Sequence, residues 1–149
     1  MYICTFCHLI ILVFPFIYSN YIGVAGAEAL ASYFIERPNN GIEVMKLSHN
    51  QIADEGFEAM AEALVSNKSL KELTLKNNRA KERGLLAIGR ALNQNNSLQL
   101  LTLLGNDFND TSGKLFGELG RDRLPFTNLA LDVQIYVVDD VHMVAELKV

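Results

Sequence analysis

From Ile42 onward the chain repeats itself every 28 residues, and this register constrains the fold more than any other feature of the sequence. Ile42, Leu70 and Leu98 share one column, Met45, Leu73 and Leu101 the next, and Leu47, Leu75 and Leu103 a third. Asn50, Asn78 and Asn106 follow, then Gly56 and Gly84 with Ser112 in their place, then Met60, Ile88 and Phe116. A set of columns in fixed register is far more specific than a short motif. The stretch Leu70 to Ser97 is the most regular copy. Leu70, Leu73 and Leu75 alternate, which predicts a short strand, and Asn78 closes the run. Gly84, Leu85, Ile88, Ala91 and Leu92 recur at helical spacing. One strand and one helix cannot bury their apolar faces alone, so each unit needs copies beside it.

The flanking copies extend the pattern. In the unit from Ile42, a helix opens around Ala53 to Gly56, with Asp54 and Glu55 complementing its N-terminal dipole and Phe57, Met60, Ala61 and Leu64 forming its apolar stripe. An earlier copy carries Asn20, Ile22, Gly26, Leu30 and Phe34. Its offset is two residues longer, absorbed by the ERPNNG loop, and a helix from Gly26 to Glu36 stops before Pro38. A fifth copy begins after Leu124-Pro125 with Phe126, Leu129 and Leu131. The helical stripe is then lost, and the end of the chain reads as two strands joined around Asp139-Asp140. The expected organisation is an apolar N-terminal segment over 1–19, repeats over 20–131 and a capping hairpin over 132–149, since a terminal unit must cover the last core edge.

Residues 1–19, MYICTFCHLIILVFPFIYS, allow three readings: a degenerate first repeat with Pro15 at a leucine position, a signal or anchor, or an artefactual start. A signal would normally carry Lys or Arg in its n-region, and Pro15 interrupts a run already short for a membrane span. Cys4, Cys7 and His8 match a haem-attachment spacing, but no second ligand is placed for it, and no second Cys pair completes a zinc site. The two Cys read more simply as small apolar residues. Their absence from the repeats favours a reducing compartment. A net charge of −4 without a basic stripe argues against direct nucleic-acid binding.

The pattern LxxLxLxxN followed by GxxxLxxxL, at 28 residues, resembles the ribonuclease-inhibitor-like class of leucine-rich repeats. That resemblance implies an α/β solenoid, a curved horseshoe segment with parallel strands on the concave side and helices on the convex side. The segment LALDVQIYVVDDVHMVAEL is similar to the C-terminal end of the leucine-rich-repeat-containing protein thirty-four family. Proteins of that family are longer, so this likeness implies a C-terminal piece of an intracellular protein of the cytoplasm, nucleus or nucleolus. Secretion or membrane anchoring would follow only if residues 1–19 act as a signal. The Asn at each strand end is expected to form a ladder of hydrogen bonds at the bend.

Function is expected on the strand face that the leucines leave over. Its solvent-facing positions are Val44, Lys46, Ser48 and His49; Glu72, Thr74, Lys76 and Asn77; Leu100, Thr102 and Leu104; then Asn128, Ala130 and Asp132. A row Lys46-Thr74-Thr102-Ala130 crosses it. The candidate partner-binding residues are Lys46, His49, Glu72, Thr74, Lys76, Leu100, Thr102 and Leu104. Lys46 and Lys76 read as ordinary solvated charges. Leu100 and Leu104 are apolar where water is expected, which marks either a partner patch or packing under the end cap. No catalytic residues, cofactor or metal are expected. His8, His49 and His142 sit in separate segments without a nucleophile or metal spacing, Asp139-Asp140 suits a tight turn, and no phosphate-binding glycine loop occurs. The expected function is a non-enzymatic module that binds another protein through the strand face. The alternatives are a regulator of a small GTPase, since Ran GTPase-activating proteins resemble the same repeat class, and a fragment of an innate-immune receptor's sensing domain.

Overall fold

Three-residue strands alternate with helices of 11 to 14 residues. The computed structural model describes residues 21–122 and 128–148. The apolar segment 1–19 with Cys4, Cys7 and His8, together with Asn20, Leu124-Pro125 and Phe126, lies outside these residues. The order is α1 (Val24–Glu36), β1 (Val44–Lys46), α2 (Ala53–Ser66), β2 (Glu72–Thr74), α3 (Glu82–Leu92), β3 (Leu100–Thr102), α4 (Asp110–Asp122) and β4 (Ala130–Leu131). A hairpin of β5 (Val133–Val138) and β6 (Val141–Glu146) follows. Among the described residues, the protein is a mixed α/β structure with four helices, a parallel sheet of order β1-β2-β3-β4 and a separate antiparallel pair.

The sequence interval reappears as strand register. Met45 pairs with Leu73 and Leu73 with Leu101, flanked by Val44, Glu72 and Leu100 on one side and Lys46, Thr74 and Thr102 on the other. Met45, Leu47, Leu73, Leu75, Leu101 and Leu103 are fully buried, and Phe57, Met60, Leu85, Ile88 and Phe116 meet them from the helices. Successive helices pack on one another in chain order. The register shifts at the last strand. Ala130 pairs with Leu100 and Leu131 with Leu101, an interval of 30. The expected row therefore ends at Thr102, with Ala130 beside Leu100 instead. Because the slip is even, Leu131 still points inward.

Polar backbone groups at both strand ends are met by asparagines of the same and of the neighbouring unit. The Asn50 side chain accepts from Ile22 N at 2.9 Å and donates to Leu47 O at 2.9 Å. Asn78 Nδ2 donates back to Leu47 O at 2.9 Å and to Lys76 O at 3.1 Å. Asn106 donates to Leu75 O and accepts from Asn78 N at 3.1 Å and Ala80 N at 3.2 Å. A second asparagine column, unnoticed in the sequence, serves the other end. Asn67 Oδ1 accepts from Ser69 N and Leu70 N, and Asn95 Oδ1 does the same for Ser97 N and Leu98 N.

The glycine column is a packing requirement. A Cβ on Gly84 would lie 2.8 Å from Phe57 Cβ and 3.0 Å from Asp54 Cα, inside the preceding helix. Gly84→Ala is therefore expected to cost about 1–3 kcal/mol by forcing α2 and α3 apart. A lowered urea midpoint with unchanged slope checks this, and an unchanged midpoint would show that the helices can separate freely.

The helix starts carry a relay beyond the expected dipole role of Asp54 and Glu55, which both stand in the first turn of α2. Asp54, placed as a partner of its own helix dipole, caps the next one: its Oδ1 accepts from Lys81 N at 2.7 Å and Gly84 N at 3.0 Å. Glu82, one interval later, accepts from Asn109 Nδ2. Asp110, one further, reaches the hairpin: its Oδ1 accepts from His142 N at 2.9 Å and contacts His142 Nδ1 at 2.7 Å. The hairpin thus takes the place of a further unit. Its turn residues Asp139 and Asp140 have φ of 50° and 62°, the left-handed pair that a two-residue hairpin turn requires.

Candidate strand-face site

The sheet buries its leucine face against the helices and leaves the alternate positions towards the opposite side. Lys46, Glu72, Thr74 and Leu100 stand there half-buried on β1 to β3. Lys46 Nζ lies 3.7 Å from Glu72 Oε1 across the β1-β2 pair. Thr102 departs from the expectation. It is 6% exposed, and its Oγ1 has no hydrogen-bond partner among the described residues. Ser48 is also buried, and its hydroxyl accepts from Lys76 N at 3.2 Å. It completes the bend between units and presents nothing to solvent.

The largest correction concerns Lys76 and Asp132. Asp132 was expected to face water, yet its side chain is 0% exposed. Its Oδ1 accepts from Leu103 N at 2.6 Å and its Oδ2 from Leu104 N at 3.2 Å. In the two preceding units, Leu47 N and Leu75 N donate to the backbone oxygens of Thr74 and Thr102. The carboxylate substitutes for that carbonyl at the last strand. Lys76 Nζ approaches Asp132 Oδ2 to 3.1 Å and Glu146 Oε1 to 3.7 Å. Lys76 is therefore the counter-ion of a buried carboxylate and not a freely solvated charge. Leu104, between these two in the repeat, packs partly buried against the core, which accounts for its apolar character. Leu100 stays half-exposed between Glu72 and Ala130.

At the strand ends a column of left-handed residues runs across the units. Tyr21, His49, Asn77 and Gly105 have φ of 55°, 58°, 53° and 78°. His49 Nε2 and Asn77 Nδ2 are 3.3 Å apart. They border a shallow polar cleft of about 320 Å³ with Tyr21, Gln51 and Arg79. His49 thus sits on the rim and away from the strand face, separate from Lys46, Glu72 and Leu100. The burial of Asp132, the approach of Glu146 and the His142 contact were not expected from the sequence. The signal for Asp132 was its place one interval after Leu104, in the column holding Lys76.

Charged contacts outside the strand face include those between α2 and α3, where Arg83 meets Glu55 and Glu58, and one at the cap. The backbone N–H and imidazole of His142, with Lys114 nearby, hold the Asp110 carboxyl below the usual carboxylate range. A pKa lower in the folded than in the unfolded chain means that this contact stabilises fully above the ordinary carboxylate pKa. Its contribution is lost as pH falls through the lowered value. Acidification is expected to reduce amide-exchange protection of β5 and β6 before that of β2, and Asp110→Asn to loosen the hairpin already at neutral pH. Equal protection of both regions through the acid range would count against the clamp.

Among the described residues, no group of three or more His, Cys, Asp or Glu is placed to hold a metal ion. No helix among them is long and apolar enough to cross a membrane. No known family model matches the chain, and a search of curated proteins finds no match.

Proposed function

We propose that the chain is a leucine-rich-repeat solenoid of the ribonuclease-inhibitor-like class that binds another protein, without catalysis, through its strand face. The supporting observation is the in-register row of half-buried side chains on β1 to β3, opposite the helices. Three-residue strands give this face little depth, so it suits an extended or convex protein surface more than a small molecule. Glu72, Thr74 and Leu100 form its accessible middle, with Lys46 at one edge. Lys76, held by Asp132 and Glu146, and the buried Thr102 and half-buried Leu104 contribute shape from below. The 28-residue spacing and the asparagine columns support the class. An intracellular compartment, cytoplasmic or nuclear, follows from the same reading.

Photo-crosslinking tests this. A crosslinkable residue at Glu72 or Leu100 should capture a partner in cells that the same residue at Glu62, exposed on α2, does not. Leu100→Ser should weaken the capture with an unchanged unfolding midpoint. Equal adducts from Glu62 would place the interface elsewhere. Stimulated hydrolysis when the chain is added to a small GTPase would replace the plain binding module with a GTPase regulator.

A further inference from the structure

Three triplets in the sequence fit the acceptor pattern for N-linked glycosylation, Asn-X-Ser/Thr with X other than Pro: Asn67-Lys68-Ser69, Asn95-Asn96-Ser97 and Asn109-Asp110-Thr111. The fold treats them very differently. Asn67 is 1% exposed and Asn95 5%. Both belong to the column that receives the backbone N–H groups leading into β2 and β3. Asn95 Nδ2 donates to Leu64 O at 2.6 Å and Asn67 O at 3.2 Å, so both of its amide hydrogens are engaged. Asn67 Nδ2 lies buried without a partner among the described residues. Asn109 is exposed, and its Nδ2 points along the surface to the Glu82 carboxylate.

Glycosylation joins the carboxamide nitrogen to the anomeric carbon of a lipid-diphosphate-linked oligosaccharide. The bond from that carbon to the diphosphate breaks, and Nδ2 gives up one proton. At Asn95 the transfer removes a hydrogen bond that the neighbouring unit needs. At both buried positions it sets a hexose between α2, α3 and the strands they feed, where the packing leaves no volume. Folding does not shield these triplets, because transfer takes place on the extended chain as it enters the compartment.

We propose that N-glycosylation at Asn67 or Asn95 and this fold are mutually exclusive, so that Asn109 is the one acceptor the folded chain tolerates. Export into a glycosylating compartment would modify the buried columns before the units stack. The inference is independent of what the strand face binds, and it bears directly on whether residues 1–19 can serve as an export signal for this fold.

The test fuses a cleavable export signal to the full chain in cells that glycosylate, with and without an inhibitor of lipid-linked oligosaccharide synthesis. Site-resolved glycopeptide mass spectrometry and limited proteolysis are the readouts. Chains carrying sugar at Asn67 or Asn95 should be cleaved at least about tenfold faster than chains made with the donor blocked, since cleavage tracks the open population. A Ser69→Ala/Ser97→Ala variant, first shown to unfold cooperatively when made without export, should carry sugar on Asn109 alone and resist cleavage. Three results would overturn the proposal: sugar at Asn67 or Asn95 on protease-resistant chains, a resistant exported chain that leaves both triplets unmodified, or protease sensitivity that persists with the donor blocked.

Discussion

Leu75→Asp is expected to abolish cooperative folding of the repeat array. Leu75 is fully buried at the end of β2, beneath the helices. Its N–H donates to Thr102 O at 2.8 Å, so it also holds the adjoining strand. Truncating such a leucine to alanine removes about 2–5 kcal/mol. A carboxylate there adds the desolvation of a charge in an apolar core. Domains of this size hold about 5–15 kcal/mol in total, so the sum reaches the whole stability. The consequence spreads because units in a repeat array stabilise one another through nearest-neighbour interfaces. Failure of the Leu75 unit separates the β1 and β3 units as well. Thermal melts by circular dichroism should show loss of the transition. Leu75→Met should stay within about 1.5 kcal/mol of the parent. A Leu75→Asp protein that melts like the parent would mean that the inward register is wrong.

The register is the part of this structure that could be read directly from sequence, because period and burial have one physical cause. A residue at the Met45, Leu73, Leu101 position is apolar because it faces the helices, and the interval is constant because each unit pairs with the next. The glycine column was visible for the same reason: Gly56 and Gly84 are small where one helix approaches the preceding one. What periodicity could not supply was the fate of the alternate face. Parity told which side Ser48, Thr102 and Asp132 occupy, but not what covers them. Asp132 turns back where β4, paired two residues out of the 28-residue register and ending at Leu131, brings the Asp132 carboxylate to Leu103 N and Leu104 N in place of a backbone carbonyl. The Asp110–His142 contact was illegible for a related reason. It joins a repeat position to a residue 32 places on, outside the 28-residue period. The hairpin also leaves Tyr136, Val138, Val141 and Met143 exposed, and the repeat says nothing about a face it does not build.

Lys76→Glu is expected to be the most damaging change among the polar residues of the strand face. Asp132 is buried, and its two backbone donors place its charge but do not neutralise it. Lys76 does so at 3.1 Å. Removing one partner of a buried pair costs about 3–5 kcal/mol. The Lys76 side chain is 30% exposed, and water screening there lowers the expectation to about 2–3 kcal/mol. The reversal also sets a third carboxylate beside Asp132 and Glu146. Lys76→Met isolates the loss of the cation from that repulsion and should cost less. Asp132→Asn should recover part of the loss in the Lys76→Glu background. The non-additivity of the cycle, read from urea midpoints, measures the pair itself. Exchange protection should fall first at the Leu103 and Leu104 amides and at Leu147, whose N–H donates to Asp132 O at 2.7 Å. Because the pair joins β2 to the cap across β3, its loss detaches the hairpin before the Met45, Leu73 and Leu101 strands separate. A Lys76→Glu protein with the parent's midpoint and full protection at Leu103 would return Lys76 to the solvated surface and leave Asp132 held by backbone N–H groups alone.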